Sequence, residues 1–116
     1  MRLHGPIEAM MRPGFYPHRC AKVELLQTMT AWLLFAGELV YKVKKPVRLS
    51  FIDAATPAKR YRLCHDEALL NQRLAPEIYI GVAGVAEQDG SYFLVPNATT
   101  SQGNMREFAV VMRRLP

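Results

Sequence analysis

The residues best suited to chemistry are two lysines on a predicted strand and a glutamate on the helix that is predicted to follow it. Residues 39–45 favour a strand, and because side chains alternate along a strand, Lys42 and Lys44 share one of its faces. Glu67 lies on the apolar stripe of the helix, counted in steps of three and four residues. The other members of this stripe are Leu63, Cys64, Leu70, Asn71 and Leu74. An unpaired carboxylate on an apolar stripe costs several kcal/mol, so we expect a strand lysine to pair with Glu67.

A lysine that a carboxylate holds in place can bind phosphate. Kinases place a strand lysine on nucleotide phosphates by pairing it with a helix glutamate, and Lys42 with Glu67 is the corresponding pair here. Lys44 is the alternate, because it lies on the same face of the strand. The simpler interpretation is a salt bridge at the rim of the fold, worth about 0 to 1 kcal/mol and without a ligand.

The elements around these residues are predicted to be three strands, one long helix and two or three further strands. The helix begins at Pro57 behind a threonine N-cap, Thr56, and ends near Leu74, before Ala75-Pro76. Apolar and β-branched residues favour strands at 22–28, 31–36, 39–45, 78–86, 91–95 and 107–112. The connections at 46–55 and 97–104 are predicted loops.

This order of elements predicts the α+β fold class. The predicted architecture is a protein-kinase-like small lobe, a five-stranded antiparallel sheet with one long helix inserted after strand three. Residues 1–14 are predicted to be an amino-terminal extension with a short helical turn at 7–11, and residues 15–116 form the lobe.

The chain is basic, and its positive charge is concentrated in one region. With 116 residues it forms one domain at most, and its net charge is +5 with an isoelectric point near 9.5. The cations of this region are Lys42, Lys44, Lys45, Arg48, Lys59, Arg60 and Arg62. Phosphate on a nucleotide or a nucleic acid is the natural partner of such a cluster. For Arg48, Lys59 and Arg60 the simpler interpretation is a solvated basic face.

The cysteines and histidines do not indicate a disulfide framework or a metal site. Cys20 and Cys64 lack metal-ligand spacing, and a reduced, cytoplasmic protein is expected. Cys64 is expected to lie in the core, and His18 and His65 to have structural or surface roles. No apolar run is long enough for a membrane span, so we expect no membrane partner and assign no metal ligand.

Several strings of residues resemble those of a known enzyme family. The strings are Tyr16-Pro17-His18, Tyr41-Lys42-Val43-Lys44-Lys45-Pro46-Val47, Phe51-Ile52-Asp53, Cys64-His65-Asp66-Glu67 and Asn71-Gln72-Arg73-Leu74-Ala75-Pro76. Their order and separation are similar to those in bacterial enzymes of the aminoglycoside phosphotransferase family. Many of these enzymes join a kinase-like domain to a carboxy-terminal P-loop ATP-binding domain. The resemblance runs from about Phe15 to Pro116 and covers only the amino-terminal kinase-like lobe of that family.

The resemblance implies the ATP-binding small lobe of a small-molecule kinase. By position, Lys42 is similar to the lysine that contacts the nucleotide, with Lys44 as the alternate, and Glu67 to its helix partner. The last predicted strand would lead into a hinge whose backbone around Met112 and Arg113 would contact adenine. The resemblance thus implies ATP as the cofactor, with magnesium held by ligands outside this chain.

Catalysis of phosphoryl transfer needs further residues, which in kinase folds follow the hinge. The sequence has no His-x-Asp with a downstream asparagine and no Asp-Phe-Gly, so we assign no catalytic residue. We expect a fragment, a truncated product or one domain of a longer enzyme whose carboxy-terminal lobe acts in cis. The sequence does not identify the phosphate acceptor.

Two other functions stay open. The chain could be a basic nucleic-acid-binding module in which Tyr41, Tyr61 and Tyr79 stack on bases. These tyrosines do not alternate with the cations along one strand face, so nucleic acid is the less favoured partner. The chain could also be a non-catalytic interaction scaffold, which would have the same fold but take no part in phosphoryl transfer.

Overall fold

The computed structural model describes residues 4–101 and 103–115. Its helices are α1 (Gly5–Met10) and α2 (Pro57–Leu74), and a short 3-10 turn covers Pro13–Phe15. The strands are β1 (Val23–Gln27), β2 (Ala31–Ala36), β3 (Leu39–Lys44), β4 (Arg48–Leu49), β5 (Ile52–Asp53), β6 (Tyr79–Gln88), β7 (Ser91–Val95) and β8 (Met105–Arg113).

Six of these strands form one antiparallel sheet in the order β1-β2-β3-β8-β6-β7. The prediction of a five-stranded, protein-kinase-like sheet is therefore wrong, although the α+β class is consistent with the structure. The additional strand is β7, which pairs with β6 along the outer edge of the sheet. The turn between them contains Asp89 and Gly90, both at positive φ (52° and 80°), and such turns match the twist of a hairpin. Both arms of the hairpin can then join the sheet.

The segment between β3 and α2 also differs from the prediction. Residues 46–55 were predicted to be a loop, but β4 and β5 form a small two-stranded antiparallel sheet there. Each of these strands has two residues, which is too short for an alternating pattern to show in the sequence.

Helix α2 has the predicted bounds. The Thr56 hydroxyl accepts a hydrogen bond from the Lys59 backbone N–H at 3.2 Å, and Pro57 occupies the first turn, where its missing N–H costs nothing. Among the described residues, no helix is long and apolar enough to cross a membrane.

The buried stripe of α2 is only partly the predicted one. The buried residues of the helix are spaced by four and are Arg60, Cys64 and Ala68. Leu70 and Leu74, which were predicted to face inward, are exposed. Cys64 and Ala68 are small enough to let the helix approach the sheet closely, so the line of contact with β6 and β8 runs through them.

The core lies on both faces of the large sheet. On one face α2 packs over Val82, Phe108 and Val110, and on the other face Ile7 and Met10 of α1 are fully buried. The face under α2 is also the face of Lys42 and Lys44, because Val110 lies directly opposite Lys42 in the pairing of β3 with β8. The sheet thus separates an α1 side from an α2 side, and the lysines lie on the α2 side.

Candidate functional site

The structure brings Lys42, Lys44 and Glu67 together on the α2 side of the sheet. Lys44 Nζ donates to Glu67 Oε1 at 2.5 Å, and Lys42 Nζ donates to Glu67 Oε2 at 3.2 Å. The side chains are partly buried, with exposed fractions of 12% for Lys44, 20% for Glu67 and 31% for Lys42. One carboxylate therefore holds two ammonium groups at the surface of the core.

The electrostatics of this cluster leave positive charge on the lysines. Burial by itself would raise the pKa of the Glu67 carboxyl, but the hydrogen bond from Lys44 and the charges of Lys44 and Lys42 outweigh burial and lower the pKa. Glu67 is thus an anion at neutral pH. Two positive charges against one negative charge leave one charge that is not neutralised within the cluster.

The elements that position the cluster are β3 and α2. The alternation of β3 turns Lys42 and Lys44 to the same face, while Tyr41 and Val43 are buried on the α1 side. On α2, Cys64 and Ala68 fix the helix against the sheet on either side of Glu67. This packing places the carboxylate above the two lysines.

An apolar strip lies beside the lysines on the same face of the sheet. In the strand pairing Leu33 lies opposite Lys42, Phe35 opposite Val40, and Leu26 opposite Leu33, so their side chains share one face. Helix α2 packs on β6 and β8 and leaves this strip over β1 and β2 open, and Leu26 is 55% exposed. The lysine cluster therefore lies next to exposed apolar surface.

An arginine covers one end of the strip. The Arg114 guanidinium lies 5.2 Å from the centroid of the Phe35 ring and donates to the Glu24 carboxylate at 3.3 Å. The face of the Phe35 ring is thus in contact with a flat, delocalised group, the Arg114 guanidinium.

The residues predicted to form the hinge lie at the end of β8. Met112 is opposite Val40 and packs against the cluster under α2, and Arg113 is exposed. The Arg113 backbone N–H donates to the Ile78 carbonyl at 2.7 Å. Because the Arg113 N–H already donates to Ile78, an adenine at the end of β8 would have to bind other backbone atoms. Contact between adenine and Met112 or Arg113 stays a prediction.

The other predicted cations are divided among separate carboxylates. Lys59 and Arg48 both approach Asp53, at 2.5 Å and 4.0 Å, on the surface.

Arg60 is buried, so its assignment to a solvated basic face is wrong. Its Nε donates to Glu107 Oε1 at 2.6 Å, and its terminal nitrogens donate to the Ala54 and Arg106 carbonyls.

Glu107 is the main charged residue that sequence reasoning missed. It is fully buried, and besides Arg60 it contacts His4 Nε2 at 3.1 Å through its second oxygen. Burial raises the pKa of Glu107 to about 7, although the Arg60 charge acts in the opposite direction. The available signal was a lone carboxylate directly before the apolar run Phe108-Ala109-Val110-Val111.

The cysteine and histidine predictions agree with the structure where it tests them. Cys64 is fully buried, and burial raises the pKa of its thiol to about 12. His18 hydrogen bonds to the Arg19 carbonyl and to the Tyr41 hydroxyl, which is a structural role, and His65 lies on the exposed side of α2.

The sequence of the chain is similar to part of a longer mycobacterial protein. Over 70 residues, or 60% of this chain, it is 37% identical to an uncharacterized protein of Mycobacterium tuberculosis strain H37Rv. The same match is found in Mycobacterium tuberculosis strain CDC 1551 and in Mycobacterium bovis. The match covers 14% of the length of each relative. No family model matches the chain, and no solved structure matches it.

Proposed function

We propose that this chain is the ATP-binding part of a small-molecule phosphotransferase similar to the aminoglycoside phosphotransferases. The observation that carries the proposal is the pair of ammonium groups held by one partly buried carboxylate, next to an open apolar strip. Phosphate supplies the negative charge that the cluster lacks, and the strip supplies a surface for a base.

The two lysines are proposed to have different roles. Lys44 is the more buried, at 12% exposed, and has the shorter contact with Glu67, so it anchors the carboxylate between β3 and α2. Lys42 is 31% exposed and has the longer contact of 3.2 Å, so its ammonium can turn from Glu67 to a phosphate oxygen. Lys42 is therefore the proposed phosphate ligand and Lys44 the positioning residue.

The strip is proposed to hold the base. Phe35 and Lys42 are diagonal neighbours on adjacent strands, since Phe35 pairs with Val40 two residues before Lys42. Diagonal neighbours lie about 7–8 Å apart, which leaves room for a sugar between a base on Phe35 and a phosphate on Lys42. A base would replace the Arg114 guanidinium on the Phe35 ring.

The metal and the catalytic side chains are proposed to come from the remainder of a longer protein. The matched relatives are much longer than this chain, since the match covers 14% of each of them. Among the residues that the structure describes, no three histidine, cysteine or acidic side chains are grouped as metal ligands. We also propose a cytoplasmic location, which suits the free thiols Cys20 and Cys64.

Nucleic acid is the less favoured partner, because the cations do not form a continuous surface. Arg60 is buried with Glu107, while Arg48 and Lys59 share Asp53. Tyr41 is buried on the face opposite Lys42, so it cannot stack on a base beside that lysine.

The test is isothermal titration of the chain with Mg-ATP, tripolyphosphate and adenosine. Lys42→Met removes the proposed phosphate ligand, and we expect at least about a tenfold loss of affinity for Mg-ATP and for tripolyphosphate, with adenosine unchanged. The matched control is Lys45→Met, which removes the neighbouring charge on the α1 side, where Lys45 contacts Gln27 and the Trp32 ring. We expect the control to stay within about twofold of the wild type.

Two results would refute the proposal. One is an equal loss of affinity in Lys42→Met and Lys45→Met, because the loss would then come from the lower net positive charge of the chain and not from a contact made by Lys42. The other is a folded wild-type chain that binds neither Mg-ATP nor tripolyphosphate.

A further inference from the structure

A hollow of about 170 Å³ opens on the α1 side of the sheet, away from the lysines. It exists because β6 contributes small residues, Gly81 and Ala83, between the larger Leu94 of β7 and Val111 of β8, with Leu39 of β3 beyond Val111. The space above Gly81 is open, since none of the heavy atoms in residues 4–101 and 103–115 would lie within 4 Å of a β-carbon built there. This hollow is called the β6 pocket below.

The walls of the β6 pocket are mainly apolar, and their polar side chains are those of His18, Tyr41 and Asn97. Within the part of the chain that the structure describes, its lining contains no lysine, arginine, aspartate or glutamate. A charged ligand would lose its hydration there without gaining a counter-charge, so the pocket selects a neutral ligand. An engineered apolar cavity of about 150 Å³ binds benzene, so one aromatic ring suits a space of this size.

Two of the polar side chains, His18 and Tyr41, form a hydrogen-bonded pair that adds direction to this mainly apolar surface. His18 Nδ1 lies 3.1 Å from the Arg19 carbonyl oxygen, which can only accept, so the tautomer that satisfies this contact has the proton on Nδ1. His18 Nε2 therefore accepts the hydrogen bond from the Tyr41 hydroxyl at 3.0 Å. The Tyr41 oxygen keeps lone pairs that can accept a hydrogen bond from a ligand. Burial raises the pKa of Tyr41 to about 12, so the hydroxyl stays protonated at neutral pH.

We propose that the β6 pocket binds a small neutral molecule with one aromatic ring and one N–H or O–H donor, of the indole or phenol class. The ring lies against Leu39, Leu94 and Val111, and the donor bonds to the Tyr41 oxygen. This site goes beyond the proposed nucleotide site and does not depend on it, because the two lie on opposite faces of the sheet.

The test is titration of the isotope-labelled chain with indole, phenol and toluene, followed by backbone amide NMR. We expect saturable shifts that centre on Gly81, Ala83 and Val111 for all three probes. Leu94→Trp fills the pocket with a side chain of its own, and we expect it to abolish these shifts. The matched control is Leu70→Trp on the exposed side of α2, which we expect to bind as the wild type does.

A second variant tests the hydrogen bond separately from the packing. Tyr41→Phe removes the acceptor and keeps the ring, so we expect about a fivefold loss of affinity for indole and phenol and no change for toluene. A control for tyrosine replacement is Tyr79→Phe, which lies outside the lining of the pocket.

Four results would overturn the proposal. The first two are the absence of saturable shifts with indole or phenol at millimolar concentration, and shifts centred on other residues. The third is undiminished binding by a folded Leu94→Trp variant. The fourth is a loss of affinity for toluene in Tyr41→Phe that equals the loss for indole and phenol. N-acetyl-tryptophanamide separates the two sources of an indole group. If it binds as tightly as indole, the pocket accommodates the backbone amides beside the ring. The site is then assigned to a tryptophan side chain of another polypeptide segment, which is a fifth result against the free small molecule.

Discussion

Replacement of Glu67 by glutamine should destabilise the chain, because it removes the charge that holds two lysines together. Glu67→Gln keeps the size of the side chain but leaves Lys42 and Lys44 adjacent without a counter-charge. Glutamine can still accept one hydrogen bond through its carbonyl oxygen, so the loss is mainly electrostatic.

The magnitude follows from the burial of the cluster. Hydrogen bonds to charged groups contribute about 1.5–3 kcal/mol when buried, and exposed ion pairs contribute about 0.2–1 kcal/mol. The three side chains are between 12% and 31% exposed, which places each contact between these limits. We expect a loss of about 2 kcal/mol for the two contacts together, or about 8 °C in melting temperature for a chain of this size.

The assay is urea unfolding at several pH values, with the exposed residue Glu77→Gln as the matched control. Because the lysines lower the pKa of Glu67 in the folded chain, its stabilisation is present above the unfolded pKa and is lost as the pH falls through the folded pKa. The difference between wild type and Glu67→Gln should therefore shrink below about pH 4. A variant within about 0.5 kcal/mol of the wild type at pH 7 would show that the cluster is only a weak surface pair.

Two further predictions concern positions outside the lysine cluster. Burial raises the pKa of Glu107 to about 7, so its contribution to stability is fully present below the unfolded pKa and is lost as the pH rises through about 7. The wild type should lose stability relative to Glu107→Gln between about pH 4 and pH 7 in the same unfolding assay, and a constant difference would contradict this. Gly37→Ala should cost more than about 1 kcal/mol, whereas Gly14→Ala should cost less. Gly37 has φ +64°, and its added β-carbon would lie 2.3 Å from the Arg19 carbonyl oxygen. At Gly14 no heavy atom of the described residues would lie within 4 Å of the added β-carbon. Equal thermal stabilities of the two variants would refute the backbone strain expected in Gly37→Ala.

Local signals in the sequence were sufficient for the elements that carry the lysine cluster. The threonine N-cap and following proline fixed the start of α2, because both act within one helical turn. Alternation placed Lys42 and Lys44 on one face of β3, and the spacing along the helix placed Glu67 within reach of them.

Features that depend on distant partners could not be predicted in this way. Arg60 can be buried because it forms an ion pair with Glu107, and the two residues are 47 positions apart in the chain. The sixth strand of the sheet depends on β7 pairing along the edge of β6, and a hairpin pattern alone does not say whether both arms join the main sheet. The exposure of Leu70 follows from the line of contact through Cys64 and Ala68, which only the position of the sheet defines.

Protection of individual lysines from acetylation would show whether Lys42 contacts nucleotide phosphate. The chain is treated with limiting acetic anhydride with and without Mg-ATP, and mass spectrometry follows the rate at Lys42, Lys44 and Lys45. We expect Mg-ATP to slow modification of Lys42 by at least about fivefold and to leave the rate at Lys45 unchanged, because Lys45 lies on the other face of the sheet. Equal rates at Lys42 with and without Mg-ATP, at a concentration that saturates binding, would contradict this expectation.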